Sequence, residues 1–255
     1  MGQDMENAAL VTGGAQRIGR AIVERLAREG YAVAIHCRRS TAAAEELAAR
    51  IGAAGGRAAV VQAELADAAS VAGLVDRAVG ALGPLTLLVN NASAFEPDEV
   101  ETLSQERWDR HFAVNLRAPA FLARDFARQL PPGREGCIVN IVDQRVWKPT
   151  PQFFSYALTK AALFSATRTM AQALAPRIRV NAIGPGPTLA NERQGREDFA
   201  RQSSAVPLGR GGTPEEIADA VVYLAGARSV TGQMIAVDGG QHLAWETPDV
   251  TGIRE

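Results

Sequence analysis

The chain has 255 residues, 47% of them hydrophobic, with a formal net charge of −1 and two cysteines. That apolar share supports a sizeable core and excludes a disordered chain. The near-zero charge leaves no basic field to hold nucleic acid or an acidic membrane. Cys37 and Cys137 stand far apart and lack metal-ligand spacing, so neither a disulfide framework nor a metal site is expected. Residues 1–8 include Asp4 and Glu6 and no apolar run, so no signal peptide is expected. No run of about 18 apolar residues is present to span a membrane. A cytoplasmic, soluble protein is the expectation.

Short apolar runs alternate with helical stretches from end to end. The first run, residues 8–12, is followed by an apolar-periodic stretch at 18–29 that stops at Gly30. Next come a run at 32–36, an Ala-rich helix at 41–54, a run at 58–62 and a helix at 68–81. Gly83 and Pro84 punctuate the chain before the run at 85–90. Later runs fall at 137–142, 178–183 and 234–237, separated by helical stretches at 104–130, 155–175 and 214–225. Pro119 lies inside the first of these and should kink or divide it. Seven strands alternating with helices predict an α/β fold of Rossmann type. It is a doubly wound, seven-stranded parallel sheet with helices on both faces, in a single domain. Its core is expected at about residues 8–243, with a tail at 244–255. Ligands of such a sheet bind beyond the carboxyl ends of the strands, where the strand order reverses.

Polar and glycine-rich segments fall at those strand ends. Thr12-Gly13-Gly14-Ala15-Gln16-Arg17-Ile18-Gly19 links the first strand to the first helix. It is either a tight turn or a loop that lets backbone amides approach a pyrophosphate, with Arg17 supplying a cation beside it. The second strand ends in His36-Cys37-Arg38-Arg39-Ser40 and has no Asp or Glu to bind a ribose 2′-hydroxyl. A solvated basic loop would look similar. His36, Arg38, Arg39 and Ser40 also suit a 2′-phosphate, which selects NADP(H) over NAD(H). Glu64 and Leu65 would flank an adenine ring. Asn91, Ala92 and Ser93 follow the fourth strand, and Pro185, Gly186 and Thr188 lie in a rigid loop suited to fixing a nicotinamide amide.

Strand five ends at Asp143, and Tyr156 and Lys160 follow thirteen and seventeen residues later. Their i, i+4 spacing puts phenol and ammonium on one helix face. A nearby ammonium is expected to lower the phenol's pKa toward neutrality, so that Tyr156 can donate a proton while a nicotinamide delivers hydride.

With these segments in order, the chain resembles the short-chain dehydrogenase/reductase family from about residue 8 to residue 243. Gly13 and Gly19 fit the ends of that family's TGxxxGxG loop, and Arg17 stands where the middle glycine is usual. Glu64 replaces the family's usual Asp. Asn115 matches the family's Asn that holds a water against the Lys, completing a set with Tyr156 and Lys160. Asp143 takes the place of the family's Ser, and a carboxylate cannot donate a hydrogen bond to a carbonyl unless protonated.

The pteridine reductase branch resembles this chain at those departures. It carries Asp at this place, Arg in the glycine-rich loop, a His-x-x-Arg-Ser ending to strand two and an Asn-Asn-Ala-Ser segment followed by an aromatic residue, here Phe95. The resemblance implies a flat pterin stacked on Phe95, with Arg17, Ser93, Asp143 and Tyr156 around it. Phe95 alone could equally be an apolar plug over the cofactor. It also implies a homotetramer acting on a small molecule. A ketone or 3-oxoacyl thioester reductase is the alternative, and an NADP(H)-sensing regulator without chemistry a remote one. Trp147, Lys148 and Pro149, with a loop at 189–201, are expected to shape the substrate pocket; Arg193 and Arg196 in that loop are either solvated charges or anchors for an acidic substrate. Trp147 either stacks on a ligand or packs in a subunit interface. Val237-Asp238-Gly239-Gly240 is expected to be structural.

Overall fold

A computed structural model describes residues 7–190, 195–246 and 251. Residues 1–6, Arg193 and most of the expected tail lie outside the described residues. The seven runs become β1 (Ala8–Val11), β2 (Ala32–Cys37), β3 (Ala58–Gln62), β4 (Leu85–Asn90), β5 (Gly136–Ile141), β6 (Ile178–Pro185) and β7 (Met234–Val237). They form one sheet in the order β3-β2-β1-β4-β5-β6-β7, every pair parallel. Successive side chains of a strand point to opposite faces. Accordingly Ala8 and Leu10 of β1 enter one apolar cluster while Ala9 and Val11 enter the other. This explains why the strand runs read as continuously apolar.

Helices α1 (Arg17–Arg28) and α2 (Thr41–Ala53) cover one face, joined there by Ile217, Val221 and Leu224 of α9 (Pro214–Gly226). The other face is covered by α4 (Leu74–Leu82), by α6 (Ala118–Gln129) through Leu122 and Phe126, and by α7 (Phe154–Leu174) through Ala171. Thr213 caps α9 in a reciprocal box with Glu216, and Pro214 opens the helix where a missing N–H costs nothing.

Three stretches differ from their sequence patterns. The single helix expected at 68–81 is split into α3 (Ala68–Val71) and α4, because Gly73 takes the left-handed conformation (φ 76°) between them. The stretch at 104–130 is divided ahead of Pro119, but without a break. A π-helical turn, Ala113–Arg117, joins α5 (Gln105–Phe112) to α6, and Pro119 falls in the first turn of α6. The loop expected at 189–201 gives way to α8 (Arg196–Ser204), which places Arg196 on a helix. Strand β6 also runs two residues past its expected end, pairing Gly184 and Pro185 with Ala236 and Val237.

Phe126 is among the largest side chains with no solvent exposure. Phe126→Ala should cost about 3–5 kcal/mol of stability, read from the urea midpoint. A loss below about 1 kcal/mol would mean that the face under α6 is not the packed core described.

Candidate active site

The order reversal between β1 and β4 opens a crevice at the carboxyl ends of the strands. Buried and half-buried side chains fasten its floor. Asn91 donates from Nδ2 to the carbonyls of Thr12 (2.9 Å) and Gly13 (3.1 Å), while the amides of Asn91 and Ala92 donate to Thr12 Oγ1. Gly19 is required here, since a Cβ would stand 2.0 Å from the Gly13 carbonyl oxygen. His36 is turned inward: Nδ1 accepts from the Gly13 amide at 3.0 Å, leaving Nε2–H to donate to the Ala63 carbonyl at 3.1 Å. Burial pushes its imidazole down to about 4, so it is neutral. Expected among the charged phosphate contacts, His36 instead braces the glycine loop. Arg38 and Arg39 are exposed at the rim. Arg38 lies 3.7 Å from Glu64, and among the described residues no carboxylate pairs with Arg39.

Two adjoining cavities fill the crevice. One, of about 410 Å³, is lined by Gly13, Gly19, His36, Arg38, Arg39, Ser40, Glu64, Leu65 and Ala92. The other, of about 630 Å³, is lined by Phe95, Asp143, Tyr156, Lys160, Pro185, Gly186 and Thr188. Arg17, Ile18, Asn91 and Ser93 border both. Arg17 takes a left-handed backbone (φ 53°), and its guanidinium donates to the carbonyls of Leu189 and Ala190, tying the glycine loop to the segment after β6.

In the larger cavity the Tyr156 hydroxyl donates to Asp143 Oδ2 at 2.8 Å. Burial, then the Asp143 carboxylate, raise the phenol well above its ordinary range. This corrects the expected shift toward neutrality, because the nearest strong electrostatic partner of the phenol is an anion. Lys160 donates from Nζ to the Ile141 carbonyl at 2.9 Å, and its Nζ sits 5.6 Å from the Tyr156 ring centre. Burial brings its pKa down to about 8. Asn115 does not reach Lys160 with its side chain. It holds both backbone atoms of Ala94, at 2.7 and 2.9 Å, and donates to Thr159 at 3.1 Å, placing Ser93 and Phe95 on the cavity wall.

Several wall residues had no signal in the sequence pattern. Phe153 stacks on Phe95 with centres 4.3 Å apart, held by a left-handed backbone (φ 58°) just before α7. Arg145 lies 3.9 Å from Asp143 and 5.1 Å from the Phe153 ring centre. Its place two residues after Asp143, at a strand end, was the one available clue. Phe199 and Gln202 of α8 complete the wall. Trp147 does not line the cavity: it packs on His242 and Phe164, and Lys148 donates to the Ala244 carbonyl. Asp238 is buried and holds the Gly240 and His242 amides, and it underlies Gly186, where a Cβ would meet it at 2.6 Å.

A family model described as enoyl-(acyl carrier protein) reductase matches residues 13–242. A short-chain type dehydrogenase/reductase from Picea abies is 36% identical over 248 residues, covering 91% of each chain. The chain belongs to the short-chain dehydrogenase/reductase family. A solved structure of FolM alternative dihydrofolate reductase 1 from Brucella suis, in complex with NADP, is 58% identical. It matches with a TM-score of 0.94 over 98% of this chain and 100% of that one. A 3-oxoacyl-[acyl-carrier-protein] reductase of Staphylococcus aureus is 33% identical over 244 residues, 94% of this chain and 99% of its own. The family's members are oxidoreductases, and so is this chain. No helix among the described residues is long and apolar enough to cross a membrane, and none of their side chains cluster as a metal site.

The pKa of His36 couples the glycine loop to pH. Unfolded, the imidazole takes up a proton near 6.5, whereas the folded one stays neutral to about 4. Its contribution is therefore complete above pH 6.5 and is lost as pH falls toward 4, a loss on the order of 3 kcal/mol. Urea titrations across that window should show this fall, and His36→Gln should flatten it. An unchanged slope in the variant would refute the assignment.

Proposed function

We propose that this chain is an NADPH-dependent reductase of a flat, pterin-like heteroaromatic ring, with Tyr156 as the proton donor. The observation that carries the reading is Asp143. Its carboxylate stands where a carbonyl substrate would need a hydrogen-bond donor, it accepts a hydrogen bond from the Tyr156 hydroxyl, and it shares a cavity with Phe95 and Arg17. A carboxylate suits the amino and ring N–H donors of an amino-pyrimidine edge, and an aromatic ring suits stacking. The 58% identity to an alternative dihydrofolate reductase solved with NADP supports the same substrate class and cofactor.

The residues present fit that cofactor. Lys160 spends one of its three ammonium protons on Ile141, leaving donors for a ribose beside the cavity. Arg39 and Ser40 at the β2 end suit a 2′-phosphate, with Arg38 shared with Glu64. Gly13, Arg17, Ile18 and Gly19 suit a pyrophosphate. Leu65 and Glu64 suit an adenine, Asn91 and Ala92 a ribose, and Pro185, Gly186 and Thr188 a carboxamide. Bound NADPH supplies the hydride.

The chain's own groups handle the proton. Burial and Asp143 keep the Tyr156 phenol protonated, so a proton is in place before reaction. When the hydroxyl turns from Asp143 to the substrate and gives up that proton, the Lys160 ammonium offsets the phenolate charge left behind. Phe95 and Ser93, held by Asn115, orient the ring. We also place the enzyme in the cytoplasm as a homotetramer, a reading consistent with exposed Phe121 on α6 and Leu158 on α7.

The 3-oxoacyl thioester alternative keeps its support in the Staphylococcus aureus relative. NADPH oxidation measured with a dihydropterin, dihydrofolate and acetoacetyl thioester separates the readings. Turnover of a pteridine is expected, and turnover of the thioester alone would overturn it. Tyr156→Phe should lower turnover by about two to four powers of ten; a change below tenfold would place the proton donor elsewhere. Arg39→Ala should weaken NADPH binding at least tenfold while leaving NADH nearly unchanged, on the order of one lost charge-assisted contact. Equal weakening of both would remove Arg39 from the 2′-phosphate.

A further inference from the structure

Asp98, Ser155 and His111 lie beside the larger cavity without opening into it. Their exposures are 3%, 0% and 0%. They come from three segments: Asp98 from the stretch after β4 that carries Phe95, His111 from the last turn of α5, and Ser155 from the first turn of α7, next to Tyr156. Their hydrogen bonds run in one direction. The Glu96 amide donates to His111 Nε2 at 3.1 Å, which leaves the ring proton on Nδ1. Nδ1–H donates to Ser155 Oγ at 2.6 Å, and the Ser155 hydroxyl donates to Asp98 Oδ2. Asp98 closes the circuit: its Oδ1 accepts the Ser155 amide at 3.2 Å and its carbonyl accepts the Phe154 amide at 3.2 Å.

A nucleophilic triad uses the same three residue types, but there the imidazole stands between hydroxyl and carboxylate, and the hydroxyl faces substrate. Here the hydroxyl stands between the other two and is sealed from solvent. The network's effect follows from what it joins. Helix α7 has no side-chain cap of its own, since Phe153 precedes it in a left-handed conformation, and Asp98 supplies the missing acceptors from across the cavity wall. The turn it secures carries Tyr156, and the segment it belongs to carries Phe95, which Tyr156 meets edge-on at 4.7 Å. His111 is faced by Asp98 and Glu96, by Arg107 and Arg110 on its own helix, and by the Tyr156 ring at 6.3 Å. Burial keeps its imidazole neutral by holding its pKa below the ordinary value, and a second ring proton at Nε2 would confront the Glu96 N–H.

We propose that Asp98, Ser155 and His111 form a positioning network that holds the Tyr156 phenol at proton-transfer geometry. The proposal rests on Tyr156 being the proton donor. Ser155→Ala, which removes only the hydroxyl, should lower kcat by about ten- to a hundredfold through misplacement of the phenol. NADPH affinity, followed by its fluorescence, should stay within about twofold, since no link of the network enters the cofactor cavity. Turnover is measured with whichever of the three substrates above is reduced fastest. In a Tyr156→Phe background the same change should cost less than about twofold, because its effect passes through the missing hydroxyl.

A kcat for Ser155→Ala within twofold of the parent overturns the network, as does an undiminished loss on top of Tyr156→Phe. If Ser155→Ala fails to fold, His111→Gln breaks the circuit at its other end and is put through the same cycle. If Tyr156→Phe alone keeps parental turnover, the proton-donor reading falls and the network with it. An inert Ser155→Ala beside a crippled Tyr156→Phe overturns the network alone.

Discussion

Two parallel strands, β1 and β4, lie side by side while the chain leaving β1 crosses to one face and the chain leaving β4 crosses to the other. Right-handed crossovers in opposite senses cannot close over that seam, so a crevice remains at the carboxyl ends. Everything functional in this chain depends on that opening. The glycine loop after β1, the basic end of β2, the Asn-Asn-Ala-Ser segment after β4, Asp143 after β5 and the Gly-Pro segment of β6 converge on it because each is a strand end, not because they are near in sequence.

Convergence alone would leave five soft loops. Buried and half-buried polar side chains make them one rim. His36 joins the β2 end to the glycine loop and to the residue after β3, Asn91 joins the β4 end to the same loop, and Asn115 holds Ala94 from the helical layer. Each satisfies backbone groups that would otherwise be buried without partners, at a cost of about 1–3 kcal/mol apiece. Their work is architectural, and Arg39, Asp143, Tyr156 and Lys160 present further polar groups to the cavities.

Much of this was legible in the sequence. Strands buried on both faces read as short apolar runs, and glycine and proline punctuated them, so the sheet could be placed within two residues at either end of each strand. The strand-end motifs located the crevice as well, since position after a strand is a local property. What escaped were properties set by contacts distant in sequence. His36 looked like a phosphate ligand because the pattern cannot show that its ring turns inward to Gly13. The i, i+4 spacing from Lys160 points to a phenol near neutrality, whereas burial and then Asp143, thirteen residues back, set its surroundings. Phe153 and its left-handed backbone likewise depend on tertiary packing, whereas the break at Gly73 and helix α8, with Glu197 and Asp198 in its first turn and Arg201 in its last, follow local preference.

The π-helical turn at Ala113–Arg117 inserts extra residues into an otherwise continuous rod made of α5 and α6. Each residue of a regular helix advances the side chains by about 100°. Deleting one residue from this turn would let the rod relax into an ordinary α-helix without disturbing the core face of α6. The wide turn takes up the extra residue, so α5 would stay in phase with α6, but Asn115 lies inside the turn and would lose its hold on Ala94 and Thr159. The fold would survive such a shortening while its active-site wall came apart, so length in this segment is under tighter constraint than composition. A bulge in a helix here serves as a register key between the scaffold and the site.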